Sequence, residues 1–158
     1  MDHKDAAPAT QDFHQFLHWY QSEWPQDVLE IHDPISHDQE ITAVVRQLAE
    51  RGQDPVFVFH QVHGLAVPVV TNLFASRKRV ARMLGVDEEH LHAAYQQLAR
   101  QQMPPRLLEQ GPVLEQLQTG DAVDLNSLPM LKHFESDRAP YISNALMIAE
   151  HPETVLAI

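Results

Sequence analysis

Apolar positions in this chain switch between helical and strand spacing, and the switches divide it into elements. The run DFHQFLHWY sets Phe13, Phe16, Leu17 and Tyr20 at intervals of three and four, one face of a helix, with Asp12 placed to cap its first turn. DVLEI reads as a short strand. SHDQEITAVVRQLAERG then offers Ser36 and Gln39 as a capping box, Ile41, Val44, Val45 and Leu48 as a buried stripe, and Gly52 as the stop. VFVFHQV, β-branched and aromatic between Pro55 and Gly64, predicts a strand. VPVVTNLF predicts a second, in which Pro68 lacks a donor hydrogen and so suits an edge or a first position. Ser76 caps RKRVARML, with Val80, Met83 and Leu84 facing inward and Gly85 ending the helix. Asp87 opens a last helix carrying Leu91, Ala94, Tyr95 and Leu98, which MPP terminates. The order helix, strand, helix, two strands, two helices predicts an α/β class: a small mixed or antiparallel sheet flanked by helices.

Beyond Pro104 the periodicity weakens. PVLEQLQTGDAVDLNSLP reads as a short amphipathic piece and a connector, turning at Thr119–Asp121. YISNALMIA fits a strand or one side of a helix; Tyr141, Ile142 and the lack of a helical cap favour the strand. HPETVLAI closes on four apolar residues after a turn signal, the pattern of a strand cut short or pairing with something outside the chain.

Composition narrows the function classes. A chain of 158 residues with 44% apolar content can build a real core in one domain. Eleven Lys and Arg against 22 Asp and Glu give a formal charge of -11, which repels nucleic acid and anionic membranes. The absence of cysteine excludes disulfides, thiolate metal sites and a cysteine nucleophile. Met1–Gln11 does not resemble a signal peptide and no stretch is apolar enough to span a membrane, so a cytoplasmic protein is the expectation.

Four groups of residues are candidates for chemistry. His60 and His63 could share a metal only if the turn at Gly64 has already begun, because residues three apart on a regular strand point to opposite faces; ordinary hydrogen bonding is the plainer reading. Arg77, Lys78, Arg79 and Arg82 make a local positive surface that could face solvent, a neighbouring domain, a small anion or RNA, with the first two readings favoured. The helix lacks the interleaved aromatics that stack bases. Asp87, Glu88 and Glu89 sit at a helix start, where negative charge is favourable without any catalysis. Glu135, Asp137 and Arg138 near His133 could bind a carboxylate or move a proton, although a charged loop is more commonly plain surface. Nucleophile elbow, P-loop and GxGxxG patterns are absent.

The linear order resembles the N-terminal domain of the UbiD-family decarboxylases. The family pattern I-x-x-P-x-x-x-x-x-E-I matches at Pro34, Glu40 and Ile41, and P-V-V-x-N-L-F-x-S-x-x-R-V-A-x-x-L-G matches at Pro68, Val69, Val70, Asn72, Leu73, Phe74, Ser76, Arg79, Val80, Ala81, Leu84 and Gly85. Farther on, Leu128, Pro129, His133, Asp137, Tyr141, Ile142, Pro152, Glu153 and Thr154 resemble the entry into the family's flavin-binding barrel. Ala139, Ser143, His151 and Val155 depart from it, standing where the family has glycine, threonine, aspartate and glycine; a β-branched Val155 would strain a glycine turn. The resemblance implies a flexible tail over 1–11, a UbiD-like α/β domain over 12–118, and a linker plus truncated first segment of the flavin-binding domain over 119–158.

It further implies reversible, non-oxidative decarboxylation of an aromatic or α,β-unsaturated acid, using prenylated FMN with a divalent metal and potassium in a full-length relative. The family's catalytic residues fall beyond the matched positions, so no catalytic, cofactor-binding or metal residue is assigned here. The isolated chain is expected to bind no cofactor and to be inactive, a scaffold whose partner is the remainder of the decarboxylase or a second copy. The family layout would set the Arg77–Arg82 helix beside the flavin barrel, with its arginines contacting neighbouring domains. The alternative is a non-catalytic interaction module using that helix or the exposed C-terminal strand. An RNA-binding protein would show salt-dependent binding and is disfavoured by the charge.

Overall fold

The structure, a computed structural model, describes residues 12–101, 109–111 and 115–143. Its centre is a three-stranded sheet in the order β1 (Val28–Ile31), β2 (Val56–Phe59), β3 (Val69–Thr71). β1 and β2 are parallel, pairing Val28 with Val56 through Ile31 with Phe59, whereas β2 and β3 are antiparallel. The expected mixed sheet is therefore the one found. All four β2 residues are buried, as a central strand covered on both faces requires.

Two apolar clusters occupy the two faces. On one side α1 (Phe13–Glu23) packs Tyr20 and Trp24 with Val56, joined by Phe16, Leu17, Val28, Val70 and Leu73. On the other, Ile41, Val44, Val45 and Leu48 of α2 (Glu40–Ala49) meet Phe57, Phe59, Val69 and Leu131. Alternation along β2 produces this division, since Val56 and Phe57 must point to opposite faces. Burial of Phe57 and Phe59, both without exposed surface, contributes about 1.5–3 kcal/mol each before entropy is counted. Two shorter helices, α3 (Arg77–Met83) and α4 (Leu91–Ala99), follow β3.

Local chemistry explains most boundaries. Asp12 accepts from the Gln15 amide at 2.9 Å and Ser76 from that of Arg79, the two side-chain caps expected. Gly52 and Gly85 take φ of 74° and 66°, left-handed conformations that stop α2 and α3. Pro68 stands just outside edge strand β3, where its missing donor is harmless.

Several expectations shift. The capping box does not form at Ser36 and Gln39: α2 starts at Glu40, Gln39 is left-handed at φ 68°, and the Glu40 carboxylate reaches back to the Ser36 amide at 2.8 Å. β2 and β3 are shorter than the apolar runs. β2 ends at Phe59, and β3 ends where Asn72 turns left-handed at φ 66° with its Nδ2 donating to the Pro55 carbonyl. Phe13 is largely exposed and lies outside the buried stripe. Val80, Met83 and Leu84 are only half-buried, and the fully buried residues of α3 are Arg79 and Ala81. Asp87 makes no side-chain cap; a 3-10 turn over Glu88–His90 precedes α4. The turn at Thr119–Asp121 does form, as the start of a 3-10 turn over Gly120–Ala122. The tail over 1–11, the MPP stop, most of YISNALMIA and the Val155 turn lie outside the described residues.

Candidate functional site

The largest correction concerns the basic helix. Arg79 has no exposed surface; its Nε donates to Asp27 Oδ2 at 3.3 Å, Nη2 to Asp27 Oδ1 at 3.1 Å and Nη1 to the Asn72 carbonyl at 2.6 Å, and Nη2 also reaches the Asp54 carbonyl. Arg82 Nη1 donates to Asp27 Oδ2 at 3.0 Å and to the Tyr20 hydroxyl at 3.0 Å, while its guanidinium lies 4.9 Å from the Trp24 ring centre. The Tyr20 hydroxyl also donates to Asp27. One aspartate thus gathers two arginines and a tyrosine, tying α3 to α1 and to the turn before β1.

Burial opposes ionisation of Asp27, but hydrogen bonds from Arg79 and Tyr20 and the charges of both arginines hold its carboxyl below the usual range. Burial, with Asp27 as neighbour, pushes the Tyr20 phenol up. Arg77 and Lys78 remain on the exposed side, where Arg77 meets Glu88 at 3.6 Å. The four basic residues therefore form no common patch, and the expected contact of the Arg79 and Arg82 side chains with a neighbouring domain is replaced by an internal ion cluster.

A groove of about 370 Å³ opens between the β3–α3 connection and the segment around 129–143, lined by residues including Val69, Leu73, Phe74, Leu131, Tyr141 and Ile142. That segment is fastened to the sheet domain by backbone bonds: the Gln39 amide donates to the Lys132 carbonyl at 2.7 Å, and the Lys132 amide to the His37 carbonyl at 3.1 Å. Leu131, buried in the α2-side core, anchors it, and an isolated bridge pairs Leu131 with Tyr141. His133 lines the groove, with Nδ1 2.8 Å from Thr42 Oγ1 and its ring 5.0 Å from that of Tyr141.

Prenylated FMN would need cationic or amide partners for its phosphate, and a divalent metal would need carboxylates. Among the described residues that line the groove, the ionisable side chains are those of His133 and Tyr141, so these residues offer a flavin phosphate no Lys or Arg and a divalent metal no carboxylate. Asp137 is committed elsewhere: its Oδ2 accepts from the amides of His133 and Phe134 at 3.1 and 2.9 Å. Glu135 and Arg138 are exposed, and the loop holds a turn rather than a proton relay.

His60 and His63 do not converge. His63 is exposed, its amide bonded to the Ile35 carbonyl and its carbonyl 3.0 Å from His37 Nδ1. His60 instead stacks on His32, ring centres 4.2 Å apart, beside Glu30. Sequence spacing alone could not show this, because His32 and His60 meet only through the parallel register of β1 and β2. The isoleucine-to-phenylalanine pairing that ends that register was the missing signal. Asp87, Glu89 and His90 lie together on the exposed 3-10 turn.

Comparison with known proteins accounts for this arrangement. Residues 21–99 match the 3-octaprenyl-4-hydroxybenzoate carboxy-lyase N-terminal domain, and 106–157 match the Rift-related domain of the same enzymes. An anhydromevalonate phosphate decarboxylase of Methanosarcina mazei is 34% identical over 124 residues, 78% of this chain and 27% of that protein. An evolved dimeric form of the UbiD-class enzyme HmfF from Pelotomaculum thermopropionicum, in complex with prFMN, superposes with a TM-score of 0.78 at 25% identity, covering 94% of this chain and 34% of that one. Vanillic acid decarboxylase of Sedimentibacter hydroxybenzoicus gives a TM-score of 0.74 at 26% identity over 93% of this chain and 33% of its own. The chain thus spans about a quarter to a third of the relatives it matches. With both domain matches in chain order and the mixed sheet shared with these structures, the chain belongs to the UbiD family of carboxy-lyases, whose N-terminal domain it carries.

Proposed function

We propose that this chain is the N-terminal scaffold portion of a cytoplasmic UbiD-like decarboxylase that acts reversibly on an aromatic or α,β-unsaturated carboxylic acid. The observation that carries this reading is the succession of the two family matches, 21–99 and then 106–157, along one chain. The anchoring contacts of the described residues within the two matches support this reading. The ion cluster at Asp27 fixes α1 and α3, and Leu131 fixes the start of the second match. The groove offers apolar surface without charges for a flavin phosphate or a metal, which supports prenylated FMN being held by other parts of the enzyme. The partner is then the remainder of the decarboxylase or a second copy, for which Phe74, Tyr95 and Leu98 present exposed apolar surface. Among the described residues no helix is long and apolar enough to cross a membrane. The interaction-module reading loses its basic helix, since Arg79 and Arg82 are turned inward.

Titration of the isolated chain with prenylated FMN, followed by flavin fluorescence, tests the scaffold reading. No saturable binding is expected, and stoichiometric binding would overturn it.

A further inference from the structure

We propose that Glu30, His32 and His60 form a binding site for a borderline divalent transition metal of the zinc class. The site is built by the sheet. Glu30 and His32 are two residues apart at the end of β1 and so project to the same face, towards α1. The parallel register that pairs Ile31 with Phe59 brings His60 alongside His32, and the His60 amide donates to the Ile31 carbonyl at 2.9 Å. The two imidazoles stack at 4.2 Å and 7°, presenting their Nε2 edges to one carboxylate oxygen: Glu30 Oε2 lies 3.5 Å from His32 Nε2 and 3.8 Å from His60 Nε2. One ligand atom from each residue falls within 4.8 Å of the other two.

Two features favour a metal over plain histidine–carboxylate contacts. The first is that His60 Nε2 is sealed from solvent yet has no hydrogen-bond partner among the described residues, because Glu30 stands beyond hydrogen-bond length. Donor atoms about 2.0–2.1 Å from a shared tetrahedral ion lie roughly 3.3 Å apart and the ion lies near the plane of each ring, so binding requires the exposed His32 ring to tilt out of its parallel stack until both Nε2 lone pairs point at one ion. The second is that Glu30 Oε1 is already held by Gln21 Nε2 of α1 at 2.6 Å. This fixes the carboxylate and leaves Oε2 as the ligand atom, the outer support typical of metal sites. Two imidazoles and a carboxylate suit zinc, nickel or copper(II) better than calcium or magnesium. His32 is mostly exposed, so a fourth position opens to water or to a group from a partner.

Calorimetric titration of the whole chain with Zn²⁺ is expected to show one site per chain. H32A and H60A should each weaken it by about 100-fold, and Q21A by about tenfold, the size of effect that losing an outer partner has. The double variant H90A/H92A, removing exposed histidines of the 3-10 turn and α4, should leave it unchanged. Zinc-induced amide shifts in the unsubstituted chain should centre on 30–32 and 58–60, a readout that does not depend on any variant folding. Undiminished binding in H32A and H60A, loss in H90A/H92A, shifts centred elsewhere, or no binding at all would overturn the proposal.

Discussion

Arg79 and Asp27, 52 residues apart in the chain, meet through two parallel hydrogen bonds in the interior, from Nε to Oδ2 at 3.3 Å and from Nη2 to Oδ1 at 3.1 Å. The fork geometry of the guanidinium also lets it serve the Asn72 and Asp54 carbonyls, so one side chain closes the β3–α3 connection onto the loop before β2. Removing it takes two donors from the Asp27 carboxylate and one each from the Asn72 and Asp54 carbonyls, leaving Asp27 with Arg82 and Tyr20 and Asn72 with the Ala75 amide. R79A is expected to lower unfolding free energy by about 3–5 kcal/mol, measured by urea denaturation, and R79K should recover only a minor part, since an ammonium cannot reach all four acceptors. A loss under about 1 kcal/mol would show that the cluster is peripheral to stability.

The same cluster sets an acid limit. Asp27 has its carboxyl pKa depressed in the folded state from an ordinary value of 3.8, so its contribution is fully present above that value and is lost as pH falls through the lower, folded one. Acid unfolding monitored by circular dichroism should therefore steepen below about pH 4, and D27N should remove that part of the pH dependence while lowering stability at neutral pH.

Tyr20 predicts the opposite limb. Its phenol is raised above 10.0, chiefly by burial, so its contribution holds below that pH and is lost as pH rises through the folded value. Ultraviolet titration should show a tyrosine component that ionises above the ordinary phenol value. Y20F should abolish that late component and cost about 1–2 kcal/mol by leaving Asp27 and Arg82 short of a partner.

Leu131 ties the second matched segment to the first domain's core. L131A should destabilise the chain by about 2–4 kcal/mol, with hydrogen exchange accelerating at the amides of Gln39 and Lys132 together. Faster exchange at Lys132 alone would mean that the segment unfolds separately.

How much of this was legible in the sequence depends on the distance over which each feature is decided. The Asp12 and Ser76 caps and the Gly52 and Gly85 stops are written within a few residues, and they form as read. The stripe of α2 was likewise readable from its own spacing, and the family resemblance followed from residues quoted in order. Arg79 was not readable: a basic tripeptide on a short helix looks solvated until Asp27, far back in the chain, is folded against it. Gln39 adopts a left-handed turn because the preceding loop must deliver backbone bonds to Lys132, a demand made from 93 residues away that no local cap could show. The stacking of His32 on His60 needed the parallel register of β1 and β2, so spacing drew attention to His63 instead.

The central claim is that this chain supports a decarboxylase without performing the reaction itself. CO2 release from a panel of aromatic and α,β-unsaturated acids, measured for the isolated chain supplied with prenylated FMN, tests it most directly. A chimera in which the chain replaces the aligned part of the Methanosarcina mazei relative is the companion sample. The account predicts no turnover by the isolated chain and turnover by the chimera; CO2 release by the isolated chain would contradict it.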